Sequence, residues 1–212
     1  MPVAFLDLAE HCAPMTEPAA LAAVVSLESR FNPLQIRVVS GKQLKRQPTN
    51  KSEAVAIAAQ LMDEGAQLAL GLGGISDGVI RKQGLSLDDV FEGCSNLSIT
   101  GRLLSGYMRG SVKGQDGSWK IAFARYFGEG DAEAGVIAGY DRQAMAAMST
   151  LAGKLDTLTL QNAAPDAHAP SIKGAAEQVR PAEARPAAPV PSWDVYRAGA
   201  RAGSSILVFP SQ

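Results

Sequence analysis

The chain has 212 residues, 46% of them hydrophobic and 19% charged, with a formal net charge of −1. That is a globular composition with room for one cored domain and an appendage. It gives no electrostatic case for nucleic acid or an acidic membrane as partner, so a ligand is expected to be met by pockets and hydrogen bonds.

The opening MPVAFLDLAEHC is apolar at Val3, Phe5, Leu6 and Leu8, lacks a basic start and is interrupted by Asp7. It does not read as a signal peptide. No segment approaches the ~20 apolar residues of a bilayer span. Thr16 can cap a first helix that carries Glu17 and Pro18 in its first turn and is stopped by Phe31-Asn32-Pro33. A second helix is expected from Thr49-Asn50 through EAVAIAAQLMDE to Gly65. GLGGISDG follows, and four glycines in eight residues cannot hold a helix. A short third helix follows Ser86, with Asp89 three residues on in capping-box style. A fourth runs from about Ser95 to Arg109, with Leu97, Thr100, Gly101, Leu104 and Met108 on one face. A fifth covers roughly Ser118 to Tyr126, and a sixth roughly Gly135 to Leu151 or beyond. The expected fold class is mainly α, with about six helices.

Seven of the twelve prolines lie after residue 160, among alanines and scattered charge. This places a folded domain at 1–160 and a Pro/Ala-rich, largely disordered linker at 161–190. Residues 191–212 carry Trp193, Val195, Tyr196 and Ile206-Leu207-Val208-Phe209, an apolar motif expected to dock onto this domain or onto a partner. The two cysteines, Cys12 and Cys94, read either as packed thiols or as one disulfide, and spacing leaves both open. With His11 near Cys12 and His168 far along the chain, no metal-binding cluster is expected, and no cofactor.

The stretch ALAAVVSLESRFNP holds one polar anomaly. Glu28 is seven residues from Leu21, four from Val24 and three from Val25, so helical spacing puts its carboxylate on their face. It either reaches solvent at the helix end, pairs with a buried arginine, or sits at the mouth of a cleft. Apolar neighbours favour a protonated carboxyl, which is what a general acid needs.

Glu28-Ser29-Arg30-Phe31-Asn32-Pro33 resembles the E-S-x-F-N-P motif of soluble lytic transglycosylases in the lysozyme-like superfamily. GLGGISD, residues 71–77, resembles that family's G-L-x-Q-I-N segment, and ARYFGEGD, residues 124–131, its A-x-x-Y-N-x-G segment. GLSLDDVFEGCSNL, residues 84–97, resembles a stretch of the VirB-type branch that serves type IV secretion, and WDVY and SSILVF resemble tails of that branch. The resemblance implies a lysozyme-like domain in the bacterial periplasm acting on peptidoglycan. It implies Glu28 as the catalytic acid and base, cleaving the bond from N-acetylmuramic acid to N-acetylglucosamine with closure of a 1,6-anhydro ring. It also implies Ser29 beside the acid, Tyr126 in the cleft, and Gly71, Leu72, Gly73, Gly74 and Ser76 along the sugar groove. Cys12 and Cys94 match the branch's cysteines and so imply a disulfide. Secretion or conjugation components are the implied partners, reached through residues 191–212.

The chain departs from the family where glutamine becomes Gly74, asparagine becomes Ser76, and the asparagine after the tyrosine becomes Phe127. These changes fall on the sugar surface and lower the expected efficiency. Two alternatives follow: a water-using muramidase with Asp77 as second carboxylate, and a weak or inactive glycan-binding assembly factor.

Overall fold

Helix α2 (Pro18–Glu28) has no wet side: Ala19 through Val25 are all buried. The computed structural model describes residues 3–40, 42–109 and 118–161. All of these belong to one compact unit, Met1–Ala169. The second unit, Pro170–Gln212, lies outside the described residues, and so do the expected docking motif and nearly all of the expected linker.

The sequence suggests an apolar face at Leu21, Val24 and Val25, but the intervening alanines are equally enclosed. Their small side chains let neighbouring helices close on every side, as in a central core helix. Those neighbours are α1 (Phe5–Cys12), α6 (Gly93–Arg109) and α9 (Tyr140–Leu151). Between α6 and α9 run α7 (Trp119–Phe127) and α8 (Ala132–Ile137). The core of this lobe includes Phe5, Leu21, Val24, Leu97, Leu104 and Phe123.

A second core lies under a three-stranded antiparallel sheet: β1 (Ile36–Ser40), β2 (Gln67–Leu70) and β3 (Ile75–Ser76). Ile36 pairs with Leu70, Arg37 with Ala69 and Val38 with Leu68, while Leu70 pairs with Ile75. The two-residue period of a strand sends Ile36, Val38, Leu68, Leu70 and Ile75 into the core with Ala54 and Ala58 of α3 (Lys51–Asp63) and Ile80 of α4 (Asp77–Gln83). Arg37, Val39 and Ala69 are left on the opposite face.

Most of the expected helices form with the caps that the sequence offers. Asn50 caps α3 through Glu53 N, Ser86 caps α5 (Leu87–Val90) through Asp89 N, and Ser118 caps α7 through Ile121 N. The expected sixth helix is two helices, because Gly139 adopts φ 69° between α8 and α9. Thr16 does not cap α2. Its hydroxyl is buried against α6, donating to Gly101 O at 3.1 Å, and Glu17 occupies the cap position. Helices α1 and α4 and the whole sheet add to what the sequence suggests; the class is mainly α, with nine α-helices among the described residues. None of these helices is long and apolar enough to cross a membrane.

The chain ends of the domain meet. Phe5 N donates to Leu158 O, Leu160 N to Val3 O, and Gln161 N to Phe31 O. A disulfide joins Cys12, the last residue of α1, to Cys94 in the first turn of α6, with 5.2 Å between their Cα atoms. It closes a sequence separation of 82 residues. Cross-links over loops of that length restrict the unfolded chain by roughly 2–5 kcal/mol. Thiol titration of the native protein is therefore expected to find neither Cys12 nor Cys94 free. Replacing both with serine should lower the unfolding free energy by about that amount in denaturant titrations.

Candidate active site

Glu28 is the last residue of α2, and its side chain is 5% exposed. Two consecutive residues after the helix, Arg30 at φ 53° and Phe31 at φ 65°, lie in the left-handed region. For residues with a Cβ this costs about 1–2 kcal/mol each, so the turn has to be held from outside. Gln161 holds it, donating Nε2 to Arg30 O at 3.0 Å and its backbone N to Phe31 O at 2.9 Å. The Phe31 ring meets Phe5 edge-on with centroids 5.2 Å apart. Asn32 Oδ1 accepts from Leu34 N at 3.0 Å and turns the chain into β1. Pro33 is part of the stop, but the left-handed pair ends the helix first.

The turn brings β1 back past the helix end. Arg37, on the sheet face away from the core, donates Nη2 to Glu28 Oε2 in an ion pair. The carboxylate thus has an arginine partner, although one that is 40% exposed. Glu28 also sits at the C-terminal end of a helix, where the backbone dipole disfavours negative charge; the guanidinium offsets that.

The glycine loop crosses on the other side. Asn96 of α6, 1% exposed, anchors it: Oδ1 accepts from Gly73 N at 2.8 Å, while Nδ2 donates to Val90 O at 2.7 Å and to Leu70 O at 3.3 Å. Tyr126 of α7 donates its hydroxyl to Gly73 O at 2.7 Å. A Cβ at Gly73 would overlap the Thr100 side chain. At Gly74, φ is 63° and a Cβ would stand 2.5 Å from Glu28 Oε2 and 3.0 Å from Glu28 Cβ. Gly74 is therefore the residue that lets the loop lie against Glu28.

Two cavities meet at Glu28. One, of about 240 Å³, is lined by Glu28, Arg37, Gly74, Ser76, Tyr126 and Glu129 among others. The second, of about 320 Å³, shares Glu28, Arg37 and Phe127 and adds Leu27, Ala138, Tyr140 and Gln143. Tyr140, the first residue of α9, is 7% exposed, and its hydroxyl is buried. Burial, and then the negative charge of Glu28, hold both the Tyr126 and the Tyr140 phenols well above the usual tyrosine range. Both phenols stay neutral and lie near enough to Glu28 to feel its charge.

The other residues marked by the sequence divide. Gly74 and Ser76 line the first cavity, and Ser76 Oγ also caps α4 through Val79 N at 3.1 Å. Gly71 donates its N–H to Gln35 O, and Leu72 is wholly buried, so both support the loop from behind. Ser29 is buried with its hydroxyl donating to Val25 O at 3.0 Å, which spends it on the helix end. Asp77 is buried, accepts from Leu68 N at 3.1 Å, is paired with Arg81 and lines neither cavity. The carboxylate that shares the first cavity with Glu28 is Glu129, which has φ 53°. Arg37, Glu129 and Tyr140 carry no local signal that marks them. The fold brings them in from a strand, a turn and the start of a helix. Among the described residues no group of acidic, histidine or cysteine side chains is placed to hold a metal ion.

The chain is similar to type IV secretion system proteins named VirB1 from Brucella abortus and Brucella suis, 38% identical over 129 residues, which is 59% of this chain and 54% of theirs. It is 29% identical over 149 residues to the protein named VirB1 of Agrobacterium fabrum, 69% of this chain and 60% of that one. The chain spans little more than half the length of these relatives. No family model matches it, and no solved structure does.

Two outcomes are expected from this geometry. Asn96→Ala leaves Gly73 N, Val90 O and Leu70 O without their amide partner, and each unmet buried group costs ~1–3 kcal/mol; chemical denaturation should show a loss of several kcal/mol. The tyrosines make stability sensitive to alkali. Below about pH 10 folded and unfolded chains both keep these phenol protons. Above that value the unfolded chain releases them and the folded one retains them, so stability declines as pH rises. Ultraviolet titration should find Tyr126 and Tyr140 un-ionised until the fold is lost.

Proposed function

Starting from a homologue of the VirB1 type IV secretion proteins, we propose that this chain is a peptidoglycan lytic transglycosylase with Glu28 as its acid and base. The observation that carries this reading is the setting of Glu28: an enclosed carboxyl at a helix end, at the junction of two cavities, with Tyr126 and Tyr140 beside it. A single carboxyl so placed suits a reaction in which the substrate supplies its own nucleophiles.

Glu28 gives its proton to the oxygen linking C1 of N-acetylmuramic acid to N-acetylglucosamine, and the C1–O bond breaks. The acetamido oxygen of the muramic ring closes on C1. Glu28, now a carboxylate, takes the proton of the C6 hydroxyl, and O6 attacks C1, breaking the bond from C1 to the acetamido oxygen and forming the 1,6-anhydro ring. No water is added, and Glu28 ends as it began. Arg37 must leave the carboxylate before Glu28 can hold a proton; its guanidinium is exposed enough to swing aside as the glycan enters. Tyr126 fixes the loop through Gly73 O, and Gly74 lets that loop close beside Glu28 without a side chain between them. In this reading the protein works in the periplasm and opens the wall for a type IV secretion or conjugation apparatus.

One observation favours a second reading. Glu129 shares the first cavity with Glu28, a pair of carboxyls such as a water-using muramidase employs. Mass analysis of muropeptides released from purified sacculi separates the two. Anhydro-muramyl ends are expected from the wild type, and free reducing ends would give the muramidase. Glu28→Gln should lose at least about 100-fold in release, the lower end of a general acid's contribution. Equal release by both proteins would remove Glu28 from the role, and no release by either would leave a glycan-binding assembly factor.

A further inference from the structure

An exposed phenyl ring is ordinary on a convex surface. Phe127 is 43% exposed in a concave one, at the junction of both cavities and beside the acid. It is the last residue of α7. One side of its ring is braced by Tyr140, centroids 5.1 Å apart and planes 33° from parallel. Tyr140 is itself buried, so the brace is rigid. The family's amides at the positions of Gly74 and Phe127 are both gone, and with them two groups able to donate and accept toward a sugar. Apolar carbon has taken one of the two places, and away from the Glu28–Arg37 pair the second cavity is walled by Leu27, Ala138 and Tyr140, with the Gln143 side chain also lining it. Its volume, about 320 Å³, falls in the range of small-ligand sites.

We propose that the second cavity is a subsite for one amino-sugar ring of the glycan, stacked by its apolar C–H face on Phe127 and oriented by the Gln143 amide. The inference rests on the glycan reading above and adds where a ring lies and what holds it. Stacking on an aromatic face removes apolar area from water without asking for directional partners. It serves a cleft that has lost its hydrogen-bonding amides. The acid shared by both cavities then stands at the bond between the ring in this subsite and the ring in the first cavity.

The test uses the full chain carrying Glu28→Gln, which blocks turnover, and an N-acetylglucosamine tetramer as probe in calorimetric titration. Phe127→Leu keeps apolar bulk and removes the ring; it should weaken binding about tenfold, the order expected for losing one ring face from contact. Phe127→Tyr keeps the ring and should bind as the parent does. Gln143→Ala should weaken binding severalfold. Thermal unfolding of each variant, unchanged, excludes loss of fold as the cause. Binding that Phe127→Leu leaves intact overturns the subsite while leaving the glycan reading standing, and so does a tyrosine variant as weak as the leucine one. No binding of the tetramer by the parent, with no release from sacculi by the wild type, overturns both.

Discussion

A carboxylate at the end of a helix with no wet face cannot be left to solvent and cannot be left alone. Helix α2 is enclosed on every side, so Glu28 emerges from the core where its own helix offers only unfavourable dipole charge. The rest of the site follows from meeting that demand. The left-handed turn at Arg30 and Phe31 sends the chain back past the helix end, and strand β1 then delivers Arg37 to the carboxylate. The sheet core fixes which strand residues face the acid, because Ile36 and Val38 must point the other way. The glycine loop closes in where a side chain would not fit.

This arrangement couples the two lobes through α6. That helix gives Leu97 and Leu104 to the helical core and Ile99 to the sheet core. Between them, Asn96 ties the glycine loop and Thr100 packs beneath it. The disulfide fixes the start of the same helix to α1. The loop beside the acid is therefore held by a buried amide on an element that is itself covalently clamped, which supplies the rigidity a preorganised site needs.

Much of this was legible in local sequence. Asn50, Ser86 and Ser118 announce their helices because a cap is a contact over three residues. Glu28 stood out against an apolar run, and the glycines marked a non-helical loop. The sheet was not legible: β1 has five residues and β3 two, too short for a periodicity to register. Gly139 gives no signal, because an isolated glycine in a helical pattern does not by itself mark a break. Arg37, Tyr140 and Glu129 could not be singled out, since each gains its meaning only from long-range placement. Conversely, Ser29 and Asp77 looked like site residues by adjacency, and the fold uses both as internal fastenings.

The bonds from Gln161 to the carbonyls of Arg30 and Phe31 make the end of this domain something other than a free seam. A polypeptide cut at Leu160 would bare two acceptors in the most strained turn of the site, next to Glu28. The turn beside Glu28 is thus also where the last described residue of the domain is moored.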